Sequence, residues 1–586
     1  MRFPLLRLPV LLTAVSWMLP LGALAETPNP AEAFQQRCFA VVGTNDFHGQ
    51  LEPERIKVSG QQVRRGGLLG FSGYLDIIKK EFGERVLLLD AGDLLHGSYT
   101  SNHGYGAAMI VGLNSLGFHA SAIGNHEFDF GPRSPGDPDR RGVLKDRIQE
   151  ASFPFLGANI FDRATGNRID WPNTQASRLL DLGGISVGVI GLATPHTPQT
   201  TRPQNVVGLR FDAPKSVVLD EAQKLRAQGA DVIALVAHMG VHCKDTRDPN
   251  NLESCDSRGG LFQLLNALPR GVVDLAIGGH THSLAAHWIN GTATLESGHR
   301  GYHFSWLKAC LSKNGGLDRV HSVIHTPIET CLDTWADGTC GEVELATEVA
   351  SARFRGQPVT PSAQLQRALA PFIESARKSK RAPLPISLPT GLKRAPGQPI
   401  ENGFPTGSLG DVVAEAMRQA LKADVGVQNL GGVRADLAAG QPSFGAIYRV
   451  LPFGNHISVM TLTGAQLKAF IQHLLTRHGT PPHIAGLRIV RIQGLWEILH
   501  AGGSPLEPGR TYQVATNDYL AGGGEGLDRI LRHIPKSNIT SSDVVLLDAL
   551  ITYLQDLYPR KSPSVAPPSA PGPSNSEPKP TSTSPG

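Results

Sequence analysis

Side chains that commonly bind metal ions recur along the first half of this 586-residue chain, each set directly after an apolar segment. They stand in five motifs: Asp46-Phe47-His48, Asp90-Ala91-Gly92-Asp93, Gly124-Asn125-His126-Glu127, His238 and Gly279-His280-Thr281-His282. Any one of these motifs is compatible with ordinary turn chemistry, because Asp, Asn and Gly favour turns. Five of them at equivalent positions predict a single converging metal centre.

The ligand types indicate which metals and which reaction this centre serves. Mixed oxygen and imidazole ligands suit zinc, manganese or similar ions better than calcium or magnesium. Two such cations stabilise the attacking and the leaving oxygen of a phosphate ester together. Because two dications repel each other, an anionic bridge is expected between them, and Asp93 is the predicted bridging carboxylate. The sequence therefore predicts two divalent metal ions and phosphoester hydrolysis.

The apolar segments that precede these motifs are predicted strands. They cover residues 39–42, 86–89, 120–123, 187–190, 232–236 and 273–277. Continuous apolar runs of this length are typical of strands buried on both faces, and helical stretches between them indicate an α/β layered domain. Ligands of open α/β sheets bind at the carboxyl ends of strands, which is where the five motifs lie. This first domain is predicted over residues 36–345.

Two further folded parts are predicted after this domain. Residues 362–381 have apolar positions near helical spacing and predict a helix that connects two domains. Residues 384–559 combine a helix with several short strands and predict a second α/β domain. From residue 560 to 586 the chain is rich in Pro, Ser and Thr, which predicts a disordered tail.

The first 25 residues resemble a targeting segment. Arg2 and Arg7 precede an apolar run that ends in Ala23-Leu24-Ala25, the small residues that a signal peptidase needs. Pro9 and Pro20 interrupt the run, which disfavours an uncleaved membrane anchor. The mature protein is therefore predicted to be exported, either periplasmic or secreted, with no later segment that spans a membrane.

Composition and cysteine content agree with this environment. A net charge of +4 with 18% charged residues argues against a nucleic-acid polymer as partner, but not against a small anionic substrate. The composition indicates no oligomeric state. Six cysteines in an exported chain predict disulfides, for which the sequence neighbours pair first: Cys243 with Cys255 and Cys331 with Cys340, leaving Cys38 with Cys310. Zinc binding by these cysteines is less favoured, because no Cys-x-x-Cys occurs.

Together, the five motifs and Asp129 resemble the calcineurin-like metallophosphoesterase pattern, and with the second domain they resemble the 5'-nucleotidase family, which includes periplasmic UDP-sugar hydrolases. This resemblance covers nearly all of the mature chain except the tail. It implies a four-layer catalytic sandwich, a C-terminal α/β substrate-binding domain and a helix that joins them. It also implies the site roles: Asp46, His48, Asp93 and His282 on one metal; Asp93, Asn125, His238 and His280 on the other; His126 with Asp129 as catalytic dyad; and a metal-bound water as nucleophile.

The second domain resembles the substrate-binding part of that family. Asn429-Leu430-Gly431-Gly432-Val433-Arg434 matches the motif Asn-x-Gly-Gly-x-Arg, whose arginine binds substrate phosphate. Residues 451–455 and 516–526 resemble two base-clamp loops. The resemblance implies seven substrate-binding residues. Asn429 and Arg434 belong to the phosphate-binding motif, and Arg394 is a further phosphate ligand. Phe453 and Tyr519 stack on the base, Asn455 contacts its edge and Glu525 binds the ribose hydroxyls.

Three departures from the family pattern bear on substrate preference. Tyr519 replaces the usual phenylalanine and Glu525 the usual aspartate, while the spacing between Arg394 and the following helix is altered.

The predicted activity is phosphate removal from 5'-nucleotides, extending to cleavage of UDP-sugars. The main alternative is a 2',3'-cyclic-nucleotide phosphodiesterase with 3'-nucleotidase activity. A thiosulfohydrolase is less favoured, because a small sulfur anion has no use for the aromatic pair Phe453 and Tyr519. A non-catalytic nucleotide-binding surface protein is also less favoured, because no metal ligand or dyad residue is missing.

Overall fold

The computed structural model describes residues 37–134, 136–313, 315–344, 348–394 and 408–560. The predicted signal peptide and the predicted tail after residue 560 lie outside these ranges. None of the helices in the described part of the chain is both long enough and apolar enough to cross a bilayer.

Two sheets form the centre of the first domain. Within the described residues the first sheet has this strand order: Val323–Ile324, His303–Cys310, Cys38–Thr44, Val86–Asp90, Ala120–Ala122, Phe155–Leu156 and Thr174–Gln175, with Ile328–Glu329 also paired to His303–Cys310. The second sheet has the order Leu284–Ile289, Thr292–Ser297, Leu275–Gly278, Val232–Ala237, Ser186–Leu192 and Ser177–Asp181.

Side-chain alternation explains how the two sheets stack. In the strand Cys38–Thr44, Phe39 and Val41 point into the core between the sheets, whereas Ala40 and Val42 point into the core beneath the outer helices. Successive residues of a strand face opposite sides, so a strand buried on both faces is apolar throughout. The layers are helices, sheet, sheet and helices, which confirms the predicted α/β sandwich.

Helices cover the outer faces of both sheets. Gly67–Phe82 and Ala107–Leu116 contribute to the core on the first sheet, and Pro214–Ala227 and Gly260–Ala267 to the core on the second. The other helices of this domain are Tyr99–Asn102, Gly142–Glu150 and Thr197–Thr200. Short strand pairs lie outside the two sheets: Glu54–Val58 with Gln61–Arg65, Ile160–Asp162 with Leu209–Phe211, Asp333–Thr334 with Ala350–Ser351, and Arg353–Phe354 with Gln357–Pro358.

The C-terminal part is a second α/β unit, as predicted. Its sheet has the order His483–Ala485, Val425–Gln428, Thr511–Asn517, His456–Thr463 and Ile539–Val545, and a hairpin joins Leu487–Ile492 to Leu495–His500. Leu409–Ala420 and Leu546–Leu557 pack on one face of this sheet, and Gly464–His478 packs on the other. The remaining helices are Phe444–Val450, Asp518–Ala521 and Asp528–Leu531.

One long helix, Ala363–Arg381, runs between the two units. The Ser362 hydroxyl caps it by accepting a hydrogen bond from the Leu365 backbone N–H, as is typical of a helix start. Leu365 and Leu369 are buried in the core of the first domain. At the other end, the Phe444 N–H of the second unit donates to the Ala382 carbonyl at 2.9 Å. The helix therefore contacts both units, as a connector requires.

The disulfides pair as predicted: Cys38–Cys310, Cys243–Cys255 and Cys331–Cys340. Cys38 and Cys310 are opposite partners on neighbouring antiparallel strands, and their bond closes a sequence separation of 272 residues.

We expect Cys38→Ser combined with Cys310→Ser to lower the free energy of unfolding by about 2–4 kcal/mol, because a long cross-link restricts the unfolded chain most. Urea unfolding of the oxidised protein measures this. The matched control is Cys331→Ser with Cys340→Ser, where the separation is only 9 residues and a smaller loss is expected. An equal or larger loss in the control would contradict the chain-entropy explanation.

Candidate metal centre and substrate cleft

The loops that carry the predicted metal ligands are joined to one another through their backbones. The Asp46 N–H donates to the Gly92 carbonyl and the His48 N–H to the Asp93 carbonyl, both at 2.9 Å. The Asp46 carboxylate in turn accepts a hydrogen bond from the His280 N–H at 2.9 Å. Ligands from distant parts of the chain are thus held at one edge of the sandwich.

Five of the predicted ligands have a backbone conformation that residues other than glycine rarely adopt. The φ angles are +52° at Asp46, +46° at His48, +59° at Asp93, +74° at His280 and +55° at His282. Left-handed backbone costs energy at such residues and persists where the surrounding structure enforces it, commonly at functional sites. This enforced backbone conformation directs all five side chains towards the candidate metal centre.

A first cluster consists of Asp46, His48 and His282. The Nε2 atoms of the two imidazoles face each other at 2.9 Å, and Asp46 Oδ1 lies 3.4 Å from His282 Nε2 and 3.8 Å from His48 Nε2. Asp46 is fully buried, yet its Oδ1 has no hydrogen-bond partner among the described residues. An unpaired buried carboxylate oxygen is costly, and a cation between these three atoms would satisfy all of them.

A second cluster consists of Asp93, Asn125, His238 and His280. His238 Nδ1 lies 2.9 Å from the Ala91 carbonyl, which only accepts, so Nδ1 carries the proton. The other ring nitrogen, Nε2, lies 3.0 Å from Asn125 Oδ1 and 3.1 Å from Asp93 Oδ2. If His238 is neutral, the lone pair on its Nε2 atom faces two oxygen atoms. This arrangement requires a positive charge between the nitrogen and the two oxygens.

Electrostatics at His238 support the same conclusion. Burial lowers the pKa of His238, but the charge of Asp93 outweighs it and raises the pKa to about 10. The surrounding oxygens thus demand a positive charge at Nε2, which a divalent metal supplies as well as a proton does. Burial and the nearby His238 lower the pKa of His280 to about 4, which keeps that ring in the neutral form that binds metals.

Asp93 belongs to the second cluster by distance, but its charge also reaches the first. Burial lowers the pKa of His48, and the charge of Asp93 is the strongest opposing influence. The other oxygen of Asp93, Oδ1, accepts a hydrogen bond from the His126 N–H at 2.8 Å. The carboxylate and imidazole donors of both clusters fit divalent zinc, manganese or iron.

Beside the metal clusters lies the predicted dyad. His126 Nδ1 is 2.5 Å from Asp129 Oδ2. Burial lowers the pKa of His126, but Asp129 and then Asp93 outweigh it and raise the pKa to about 10, so the ring is an imidazolium at neutral pH. A carboxylate on Nδ1 fixes the ring and leaves Nε2–H available as a donor to substrate.

Two further groups bind the dyad carboxylate, and neither was predicted. His96 Nδ1 lies 3.1 Å from Asp129 Oδ2, with its ring nearly parallel to His126 at a centroid distance of 6.2 Å. The Thr201 hydroxyl donates to Asp129 Oδ1 at 2.8 Å. His96 follows Asp93 by three residues in the same loop, which is the one signal in the sequence that could have indicated it.

Buried carboxylates hold the metal-binding loops in place. Glu127 accepts hydrogen bonds from the backbone N–H groups of Asp93, Leu94 and Gly124 at 2.7–2.8 Å. Burial raises the pKa of Glu127 to about 7, with Asp93 adding to the shift. Glu127 appeared in the sequence motif without a role, and its function here is to orient the loops that present Asp93 and Asn125.

Glu296 was not singled out from the sequence, yet it joins the two other ligand loops. It accepts hydrogen bonds from the Val241 N–H at 2.7 Å and the Thr281 hydroxyl at 2.6 Å. Burial raises its pKa to about 8. Its position fixes the loop after His238 relative to the loop that carries His280.

The predicted stacking residues of the second unit are exposed. Phe453 is 53% exposed and Tyr519 is 50% exposed, whereas rings that served core packing would be buried. Asn455 Nδ2 donates to Asp518 Oδ1 at 2.6 Å, so Asp518 links the two base-clamp loops.

The four other predicted substrate ligands lie around these loops. The Arg434 guanidinium is 6.0 Å from the centre of the Phe453 ring. Asn429 Nδ2 donates to Glu525 Oε1 at 3.3 Å, and the other carboxylate oxygen of Glu525 accepts from Arg477 Nε at 3.0 Å. Glu525 is therefore already engaged by protein donors. Arg394 is exposed, and its backbone N–H donates to the Asp436 carboxylate at 2.7 Å.

Comparison with known families agrees with this geometry. Residues 39–284 match the calcineurin-like phosphoesterase model, and residues 398–532 match the model of the 5'-nucleotidase C-terminal domain. Fold and site together thus define a metal-dependent phosphoric monoester hydrolase. Such enzymes use divalent metals. In particular, the chain belongs to the 5'-nucleotidase family.

Relatives resemble the chain along most of its length. A 5'-nucleotidase of Vibrio cholerae is 27% identical over 539 residues, which are 86% of this chain and 88% of that protein. Protein UshA of Escherichia coli is 26% identical over 547 residues, covering 89% of this chain and 91% of its own. A crystal structure of a 5'-nucleotidase precursor from Thermus thermophilus superposes with a TM-score of 0.58 at 22% identity, covering 89% of this chain and 97% of that one, which shows the shared fold.

Proposed function

We propose that this protein hydrolyses 5'-nucleotides to nucleosides and phosphate outside the cytoplasm, and that it also cleaves UDP-sugars. One observation carries the proposal: the base-clamp loop of the second unit is joined to the dyad of the first through Arg202 and its neighbour Thr201. The Gly454 carbonyl, one residue after Phe453, accepts a hydrogen bond from Arg202 Nη2 at 3.3 Å, and Thr201 binds Asp129. This link supports the proposal that a nucleoside held at this loop presents its phosphate to the metal clusters.

In this proposal the second unit orients the substrate. Phe453 and Tyr519 stack on the two faces of the base, and Asn455 contacts its edge. Arg434 binds phosphate oxygens, for which its planar guanidinium is suited. Arg394 is a further phosphate ligand in this proposal. Asn429 and Glu525 would bind the ribose, with Glu525 exchanging part of its contact with Arg477 for the sugar hydroxyls.

The first unit then carries the chemistry. Asp46, His48, Asp93 and His282 would hold one divalent cation, and Asp93, Asn125, His238 and His280 a second. When bound, the two cations supply an activated water molecule and neutralise charge on the phosphoryl oxygens. His126, cationic and held by Asp129, donates its Nε2–H to a phosphoryl oxygen or to the leaving oxygen as negative charge develops there.

Export is part of the proposal. Three disulfides persist in oxidising compartments and are rare in the cytosol. The charged and apolar pattern of the first 25 residues supports the same location.

The nucleotide claim predicts a selective loss. We expect Phe453→Ala and Tyr519→Ala each to lower kcat/KM for AMP by roughly 5- to 150-fold, because stacking of one aromatic ring contributes about 1–3 kcal/mol per base. An aryl phosphate that lacks a base should be hydrolysed almost as fast as by the wild type. The measurement is the ratio of the two kcat/KM values at one metal concentration.

The exposed Tyr105 offers a matched control, since it is 56% exposed and lies outside the two base-clamp loops. Tyr105→Ala should leave the ratio unchanged. If Phe453→Ala and Tyr519→Ala also leave it unchanged, the base clamp is wrong. A panel of AMP, UDP-glucose, 2',3'-cyclic AMP and the aryl phosphate on the wild type separates the proposed activity from the cyclic-phosphodiesterase alternative.

A further inference from the structure

Three consecutive residues, Thr200, Thr201 and Arg202, bind three different parts of the active cleft. The Thr200 carbonyl accepts a hydrogen bond from Asn125 Nδ2 at 2.9 Å, which turns Asn125 Oδ1 towards the second metal cluster. The Thr201 hydroxyl donates to the dyad carboxylate, Asp129, at 2.8 Å. The segment is thus bonded both to a proposed metal ligand and to the proposed dyad.

Arg202 extends this segment across the boundary between the two units. Its Nη1 lies 3.0 Å from His456 Nε2, and its Nη2 donates to the Gly454 carbonyl at 3.3 Å. Burial lowers the pKa of Arg202, whereas the charges of Asp129 and Asp518 oppose the shift. A guanidinium remains charged in such surroundings, so both contacts are charge-assisted hydrogen bonds.

The partner imidazole is set to accept from Arg202. His456 Nδ1 lies 3.3 Å from the Gly454 carbonyl, so Nδ1 carries the proton and Nε2 is the acceptor. Burial and the charge of Arg202 lower the pKa of His456 to about 3, so that the ring is neutral at physiological pH. Arg202 therefore meets a complementary pair of acceptors, one imidazole nitrogen and one carbonyl oxygen.

The two acceptors of Arg202 are part of a hydrogen-bonded group that includes both base-clamp loops. Asp518 accepts from Asn455 Nδ2 at 2.6 Å and from the His456 N–H at 3.1 Å. The next residue in the chain is Tyr519. Asp518 and His456 therefore connect both clamp loops to Arg202.

We propose that Arg202 is a positioning residue that couples the seating of the base-clamp loops to the placement of Asp129 and Asn125. The inference rests on the proposed nucleotide activity and extends it. A bound base holds the clamp loops in place, these hold Arg202, and Thr200 and Thr201 then hold the amide and the carboxylate in their working positions. A nucleotide is thereby turned over faster than an ester that does not occupy the clamp.

The test compares Arg202→Ala with Arg202→Lys on AMP and on a base-free aryl phosphate. We expect Arg202→Ala to lower kcat for AMP by about 10- to 100-fold, as supporting contacts around metal sites commonly do. KM for AMP should change little, because Phe453, Tyr519 and Asn455 remain. Arg202→Lys should restore only part of kcat, since an ammonium cannot bind both acceptors at once.

Arg140 provides the matched control. It also reaches across the boundary, with its Nη1 3.8 Å from Asp543 Oδ1, but both side chains are exposed. An exposed ion pair contributes little, so Arg140→Ala should change kcat by less than about twofold. Metal content and melting temperature are measured for every variant, because a merely structural role would lower stability and slow both substrates alike.

A double-mutant cycle with His456→Ala measures the coupling directly. If Arg202 acts through His456, the double variant should lose no more kcat on AMP than Arg202→Ala alone. Additive losses, or equal losses on AMP and aryl phosphate, would overturn the proposal. Failure of the nucleotide proposal itself looks different: the wild-type enzyme would then show no preference for AMP over the aryl phosphate.

Discussion

Asp93→Asn is expected to lower kcat/KM by about 10³-fold or more, because the two metals together contribute several kcal/mol of transition-state stabilisation and this carboxylate is proposed to hold both. An asparagine keeps the size of the side chain but removes its charge, and its NH₂ group would be directed at a cation. In the opposite orientation of the amide, the NH₂ group would face the His126 N–H, which now donates to Asp93 Oδ1, so either orientation loses one contact. Kinetics with added manganese or zinc, together with metal analysis of the purified protein, measure the effect.

Asp90→Asn is the matched control, three residues earlier at the end of the preceding strand. Asp90 is also fully buried, but its carboxylate accepts hydrogen bonds from the Thr44 hydroxyl and the Gly92 N–H. Its loss should cost about 10- to 100-fold through loop position alone. A chelator should abolish the wild-type activity, and added metal should restore it. Near-normal turnover in folded Asp93→Asn would rule out the bridging role.

His126→Ala is expected to retain its metals while kcat falls by about 10²- to 10⁴-fold, the usual contribution of a positioned proton donor. The ring of His126 belongs to neither metal cluster, and its Nδ1 is occupied by Asp129, so its loss removes a charge and a donor but no proposed ligand. The two measurements are single-turnover kinetics on AMP and metal content per chain.

A second histidine pair in the chain supplies the control for this variant. His321 and Asp318 have the same spacing of three residues and a distance of 2.8 Å, but they lie on the exposed surface far along the chain from the dyad. His321→Ala should leave kcat within about twofold, as expected for an exposed pair. Loss of metal from folded His126→Ala would show that the ring acts on the metals rather than on the substrate.

Much of this site was predictable because its signals are local. A strand buried on both faces must be apolar along its whole length, and a polar motif at its carboxyl end then stands out in the sequence. Asp46, Asp93, Asn125, His238 and His280 all follow such segments, and the α/β class follows from the same pattern. The exposure of Phe453 and Tyr519 likewise agrees with their position in glycine-containing loops.

Thr201 and Glu296 leave no local pattern in the sequence, and the only signal for His96 is its position three residues after Asp93. His96 and Thr201 reach Asp129 from two different loops, and Glu296 joins the loop after His238 to the loop that carries His280. A buried glutamate or a loop histidine has many roles in proteins, so residue type alone does not indicate which one applies. These contacts became visible only when the positions of the loops were known.

Thus the sequence by itself determined the α/β class and indicated the cysteine pairing, since both depend on periodicity or spacing along the chain, and its motifs predicted the metal-ligand set. Tertiary structure alone decided how the proposed dyad is connected to the proposed base-clamp loops. Arg202 and His456 are 254 residues apart and belong to different folded units. Their contact depends on how two separately folded surfaces meet, and no repeat or motif in the chain encodes that arrangement.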